Sequence, residues 1–295
     1  MRRDQLKRYL KGLWFFVDVR GWQKWLGAAV MGFAFALGLG NDFSLLQIQG
    51  LVIGFPLILT YTMTVNDYFD IEIDKVKQKV MGKELIVSNI ISKRTALTLT
   101  LLSVIIGLVS AWITSLSFFI ITFAFVLVST VYSVPPFRFK MKYPISTLTQ
   151  FAGIFLPFVA GVASISAVTI QAFVISSAFA VLAIIHRMDH EIYTFKADLL
   201  TGKHTVAVTK GIETAKTLLR LCAFVGIAEF AVFFIVGWVD YVFLFLSILY
   251  LIIYYYILRS LFNRVSSMII TVPTIMASSY VLLFFVLLLY GQIHL

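Results

Sequence analysis

The stretch VNDYFDIEIDKVKQK, residues 65–79, ends an apolar run that begins near residue 45. Asn66, Asp67, Asp70 and Asp74 recur in it at helical spacing, and Lys75, Lys77 and Lys79 follow at once. Read as a helix, the segment carries hydrophobic side chains into a charged terminus, as a membrane span does where it meets water. The rest of the chain agrees. Of its 295 residues 60% are hydrophobic and only 13% charged, against roughly 25% charged in soluble domains. Apolar runs of about 20 residues, enough to cross a bilayer core, recur along the whole length. They lack the period-2 alternation of a barrel. The expected fold class is all-α, a polytopic membrane protein of about nine transmembrane helices around a central cavity.

The expected spans are 22–41, 45–65, 95–114, 117–134, 145–165, 168–188, 217–237, 241–258 and 268–290. All 24 Lys and Arg fall at or before the start of the first span or in alternate connections. The other connections carry Asp42 and Asp240 and no basic residue. The positive-inside rule then places the N-terminus and the charged loops in the cytoplasm. The +10 net charge is therefore largely a matter of topology. It argues against a nucleic-acid partner and favours anionic headgroups and substrates. Residues 1–21 are basic and amphipathic without a small-residue cleavage site, and read as an interfacial helix. Residues 22–295 read as one transmembrane domain with active-site loops at 66–94, 135–143 and 187–212. Cys222, in an apolar stretch, is expected to pack rather than to pair.

Asp67, Asp70 and Asp74 stand at i, i+3 and i+7, with Asn66 one turn before Asp70, so all four lie on one side of a helix. Carboxylates so close at a membrane border are costly unless cations intervene. Such an oxygen-rich set suits a hard cation such as Mg²⁺, which keeps some waters and shares oxygens with a phosphate. Glu72 points elsewhere.

A second cluster follows span 6 in HRMDHEIYTFKADLLTGKHTVAVTKG, residues 186–211. Glu191, Thr194 and Asp198 repeat the i, i+3, i+7 spacing, His190 takes the place of Asn66, and Lys203 and His204 follow as Lys77, Lys79 and Lys83 follow the first cluster. Two oxygen clusters at the same end of two spans suggest two cation sites bridged by a diphosphate. Between them lies YSVPPFRFKMKYP, residues 132–144. Pro135 and Pro136 stop span 4. Arg138 and Lys140 alternate with Phe137 and Phe139, so both cations point one way from an extended segment, and Arg matches phosphate oxygens with its planar fork. The phenol of Tyr132 lies on the last turn of the span.

Together these residues resemble the UbiA superfamily of intramembrane prenyltransferases. The family's NDxxDxxxD is complete at Asn66–Asp74, and its YSxPPxRxK is complete at Tyr132–Lys140. In the second acidic motif Asp198, Gly202 and Thr205 match, but Thr194 stands where the family carries an aspartate, so either Glu191 or Asp189 compensates, or the second metal is weakly held or the chemistry altered. After the first motif the family's Arg-Pro-containing stretch is replaced by MGKELIVSNIIS, residues 81–92, which leans toward archaeal-type lipid or carotenoid branches.

The resemblance implies a Mg²⁺-dependent enzyme, with two ions bridging the diphosphate, that moves an isoprenyl group from a polyprenyl diphosphate to a lipophilic acceptor in the cell membrane. Asn66, Asp70, Asp74, Glu191 and Asp198 would be the metal set, with Asp67 in or near it. Lys77, Arg138, Lys140 and Lys203 would bind the diphosphate, and Tyr68 or Tyr132 would stabilise an allylic cation. The acid Glu229, mid-span, is a functional candidate by position and would hold or deprotonate the acceptor. A quinone-precursor aromatic, an ether lipid, a carotenoid end and a porphyrin all remain open as acceptor. Two other classes compete. A relative that cyclises its prenyl diphosphate, or binds lipid without catalysis, would tolerate Thr194. A cation-coupled transporter would use the acids as ion sites, but such sites lie near the bilayer midplane on broken helices, and these acids gather at span ends.

Overall fold

The computed structural model describes residues 19–81 and 93–238. The expected spans at 241–258 and 268–290, all but the last three residues of the interfacial helix expected at 1–21, and residues 82–92 of the loop expected at 66–94 lie outside the described residues. Within them the chain is helical and carries no strand; a single isolated bridge pairs Lys142 with His204. In chain order the helices are α1 (Val19–Gly38), α2 (Leu45–Gln49), α3 (Phe55–Met81), α4 (Lys93–Thr114), α5 (Leu116–Ser133), α6 (Ile145–Ala163), α7 (Ile170–Tyr193), α8 (Phe195–Leu200), α9 (Val206–Lys210) and α10 (Ile212–Ile235). A π-helical turn, Gly50–Gly54, joins α2 to α3 without a break. Six helical runs among the described residues are long and apolar enough to cross a membrane. With α1 they overlap the first seven expected spans, but α3 stays helical to Met81 where a loop was expected from 66, and α7 runs to Tyr193 rather than ending at 188.

The order of packing follows from small residues and aromatic knobs. α1 lies against α6 and α3, α3 against α4 and α5, α5 against α6, α6 against α7, and α7 against α10. A Cβ on Gly32 would come within 1.8 Å of the Phe158 carbonyl oxygen, and one on Gly161 within 1.8 Å of the Ala29 carbonyl oxygen. The backbones of α1 and α6 therefore touch, as small residues permit in lipid. A ladder of rings at 5.5–6.1 Å runs Phe35, Phe158, Phe179, Phe230, Phe233 and ties α1, α6, α7 and α10 together.

α3 is held differently, by hydroxyls. Tyr61 pairs with Thr130 at 2.6 Å, Thr62 donates to Ser129 at 3.2 Å, and Thr100 donates to Thr64 at 2.9 Å. Such interhelical bonds are each worth roughly 0.6 kcal/mol in a membrane, modest singly but enough in series to fix rotation. They settle which face of α3 turns inward. Nearer its charged end α3 buries Asp70 and Ile73. On the other side of α4, Leu101, Ile105, Val109 and Trp112 are exposed, an apolar face turned to where lipid would lie.

Candidate active site

At the charged end of the bundle α3 brings Asn66, Asp67 and Asp70. Asp70 is only 6% exposed, Asn66 is half-buried and Asp67 is exposed. The side chains of Asp74 and Lys77 lie outside the described residues, although the helix that carries them continues to Met81.

The α5–α6 connection closes over these groups. It is not the extended segment expected from the Phe/basic alternation. Arg138 is left-handed (φ 45°, ψ 49°) and Phe139–Met141 form a tight 3₁₀ turn. A left-handed non-glycine residue costs about 1–2 kcal/mol. The Arg138 guanidinium offsets this by donating from Nη2 to the Phe69 carbonyl at 2.6 Å and lying 3.5 Å from Asp70 Oδ1. The fold-back drives Lys140 inward, where it is 4% exposed. Its ammonium stands 2.5 Å from Asp70 Oδ1 and donates to Asn66 Oδ1 at 2.9 Å. Ser133 donates to the same amide oxygen at 3.2 Å. Both cations thus reach the first acidic motif by a turn, where a strand had been expected.

The second motif is more deeply buried and wired differently. α7 ends at Tyr193 and α8 restarts at Phe195, with Thr194 at the joint (φ −87°, ψ 6°). Glu191 and Asp198 are both 0% exposed. Glu191 Oε1 accepts from Arg187 Nε at 2.6 Å, and Oε2 accepts from the Val206 amide at 3.1 Å. Thr194 Oγ1 shares its proton between the His190 carbonyl at 2.9 Å and Asp198 Oδ2 at 2.8 Å. Lys203 lies 3.5 Å from Asp198 Oδ1. Arg187 also donates from Nη1 to the Tyr132 hydroxyl at 3.1 Å, and it feels the charges of Asp198 and, from α1, Lys24.

Backbone contacts join these pieces. The Tyr143 amide donates to the His204 carbonyl at 2.8 Å, and the His204 amide to the Met141 carbonyl at 2.9 Å. The Arg138–Lys140 turn is thereby stitched to the loop that carries Lys203. α3 also packs directly against α8, so Asp70 and Asp198 sit on touching elements.

A divalent ion suits the first motif. A cation, the Lys140 ammonium, is already held where the oxygens of Asn66 and Asp70 converge. Among the described residues no three His, Cys, Asp or Glu side chains are placed to hold a metal ion by themselves. An ion here would share its shell with phosphate and water, as Mg²⁺ commonly does. Arg138 Nε is buried and without a hydrogen-bond partner among the described residues, a donor suited to an anionic oxygen.

A UbiA prenyltransferase family model matches residues 26–270. The chain belongs to the UbiA family of intramembrane prenyltransferases. Solved structures share its fold. A UbiA homolog from Archaeoglobus fulgidus bound to GPP and Mg²⁺ is 22% identical, with a TM-score of 0.73 over 95% of this chain and 99% of that one. A digeranylgeranylglyceryl phosphate synthase is 16% identical, with a TM-score of 0.70 over 99% and 100% of the two chains. An apo UbiA homolog from Aeropyrum pernix K1 is 14% identical, with a TM-score of 0.65 over 88% and 97%. No curated protein sequence matches.

Within this UbiA fold the remaining expected residues scatter. Tyr68 is half-buried and meets Phe69 edge-on at 5.2 Å. Tyr132 joins the second motif through Arg187. Glu229 does not join the cluster: it lies about 25 Å along α10 from Ile212, half-buried, with Oε2 lacking a partner among the described residues. Arg187 is the residue that sequence reading passed over, counted only as one more basic residue near a span end. Its signal was present, since Arg187 and Glu191 stand at i, i+4, the spacing of a helical ion pair.

Proposed function

We propose that this chain transfers an isoprenyl group from a polyprenyl diphosphate, such as geranylgeranyl diphosphate, to a lipophilic acceptor, with the site mouth on the cytoplasmic side. One observation carries the reading. Lys140 is held between Asn66 and Asp70 by a turn stitched to the Asp198–Lys203 loop. Oxygen donors and cations from three distant segments thus border one place at the mouth of an apolar bundle. A diphosphate on an isoprenoid tail matches that pattern, with an anionic head at the charged end and a greasy tail among the helices.

Asn66, Asp70 and Asp74 would hold Mg²⁺, with Asp67 beside them. When bound, the ion supplies Lewis-acid charge to the departing diphosphate. Arg138 Nε and the ammonium of Lys140, released from Asp70 as phosphate arrives, take up anionic oxygens; charge-assisted bonds of this kind strengthen as negative charge gathers on the leaving group. The ring faces of Tyr68 and Tyr132 would favour positive charge on the allylic carbon. Packed apolar helices keep water from that carbon. The acceptor then forms the new bond and gives up a proton.

The protein in nanodiscs, with Mg²⁺, labelled geranylgeranyl diphosphate and a lipid extract of the host, tests this. The expected result is pyrophosphate release with a lipid heavier by one isoprenoid unit. Release with a cyclic hydrocarbon, ion-driven solute uptake, or no release with prenyl diphosphates of any length would overturn it.

A further inference from the structure

We infer that the second acidic motif holds no divalent ion of its own: this chain loads one metal ion with its diphosphate, and Arg187 supplies the charge a second ion would bring. The inference rests on the prenyl-diphosphate reading above and refines its metal set. The expectation of two ions came from two clusters of matching spacing, and donor accounting at the second cluster runs the other way.

A metal needs oxygens with lone pairs to spare. Glu191 has one oxygen in a 2.6 Å charge-assisted bond with Arg187 and the other on the Val206 amide at 3.1 Å. Freeing it would leave a buried guanidinium and a buried amide unpaired, and buried polar groups without partners are costly. Position 194, a turn before Asp198, offers a hydroxyl in place of a carboxylate, and that hydroxyl donates to Asp198 Oδ2 at 2.8 Å. Among the described oxygens of Glu191, Thr194 and Asp198, Asp198 Oδ1 alone lacks a hydrogen bond, and the Lys203 ammonium faces it at 3.5 Å. One monodentate carboxylate oxygen is a poor start for an octahedral shell. The first motif differs in kind: one helix brings Asn66 and Asp67 beside the carboxylate of Asp70.

The positive charge at the second cluster is already built in. Arg187 is 9% exposed. Glu191 and Tyr132 take Nε and Nη1, while Nη2 is buried without a hydrogen-bond partner among the described residues. The guanidinium lies within electrostatic reach of Asp198. A buried donor with an open valence, rigidly held in the motif where a second ion was expected, can take a phosphate oxygen.

The test counts ions. Purified protein is saturated with geranylgeranyl S-thiolodiphosphate, an analogue whose leaving group does not depart, and titrated with Mn²⁺ while free Mn²⁺ is read by electron paramagnetic resonance. One ion per chain is expected for the wild type, and Thr194→Asp should move the count toward two. The double variant Arg187→Met/Glu191→Gln keeps an acceptor for the Val206 amide. It should bind the analogue at least tenfold more weakly with the count unchanged at one. Two ions per wild-type chain, or unaltered affinity in the double variant, would overturn the inference and leave prenyl transfer standing. Failure of the analogue to bind at all would overturn the prenyl-diphosphate reading itself.

Discussion

Arg187→Met should be among the most damaging single substitutions in the bundle, and for a reason that can be isolated. Glu191 is 0% exposed and its Oε1 lies 2.6 Å from Arg187 Nε. With charge centres about 4 Å apart and an effective dielectric near 20, the attraction is about 4 kcal/mol. Removing one partner of a buried pair typically costs about 3–5 kcal/mol, because the remaining charge stays buried without compensation. Glu191→Gln should cost less, since the amide oxygen still accepts from Val206, but it strands the guanidinium. The double variant should recover most of the loss, giving a coupling energy of about 2–4 kcal/mol. Reversible unfolding in mixed micelles, followed by helical circular dichroism across a denaturing-detergent titration, reads all four proteins. Additive single losses, or a cost below about 1 kcal/mol for Arg187→Met, would refute the claim that this pair fixes the Val206 end of the site.

Other outcomes follow from the same geometry. Asp70→Asn and Arg138→Ala should each lower pyrophosphate release at least about a hundredfold while leaving the helical spectrum intact; retained turnover in both would overturn the site. Gly161→Ala would press a methyl within 1.8 Å of the Ala29 carbonyl oxygen and should cost about 1–3 kcal/mol. Gly153→Ala, where the nearest atom is Trp25 Nε1 at 3.4 Å, should be nearly silent in the same unfolding titration. Chelation of divalent ions should abolish turnover and added Mg²⁺ restore it; turnover that survives chelation would contradict a metal role for the Asn66–Asp74 face.

Much of this was legible in the sequence because membranes simplify the code. Apolar length placed the first seven spans, although the helix of the second runs on to Met81, and helical phase put Asn66 and Asp70 on one side, where Lys140 meets both. What the sequence hid was local and tertiary. Phe137–Lys140 alternates as a strand would, yet Arg138 turns left-handed because its guanidinium gains the Phe69 carbonyl and Asp70, partners invisible to periodicity. Glu191 reads as a metal ligand by spacing; its oxygens go instead to Arg187 and to an amide 15 residues ahead. Thr194 announced a change in the motif, and the break between α7 and α8 at that residue gives the change a shape. Glu229 is conspicuous in an apolar span, but distance along α10 keeps it from the charged end.

The central claim is that segments around Asp70 and around Asp198 border one diphosphate. A structure of the protein with Mg²⁺ and the thiolodiphosphate analogue tests it most directly. The account predicts one headgroup within hydrogen-bond reach of Arg138 or Lys140 on one side and of Lys203 or Arg187 on the other. A headgroup held by the first set alone, with the Asp198 loop turned away from it, would contradict the account.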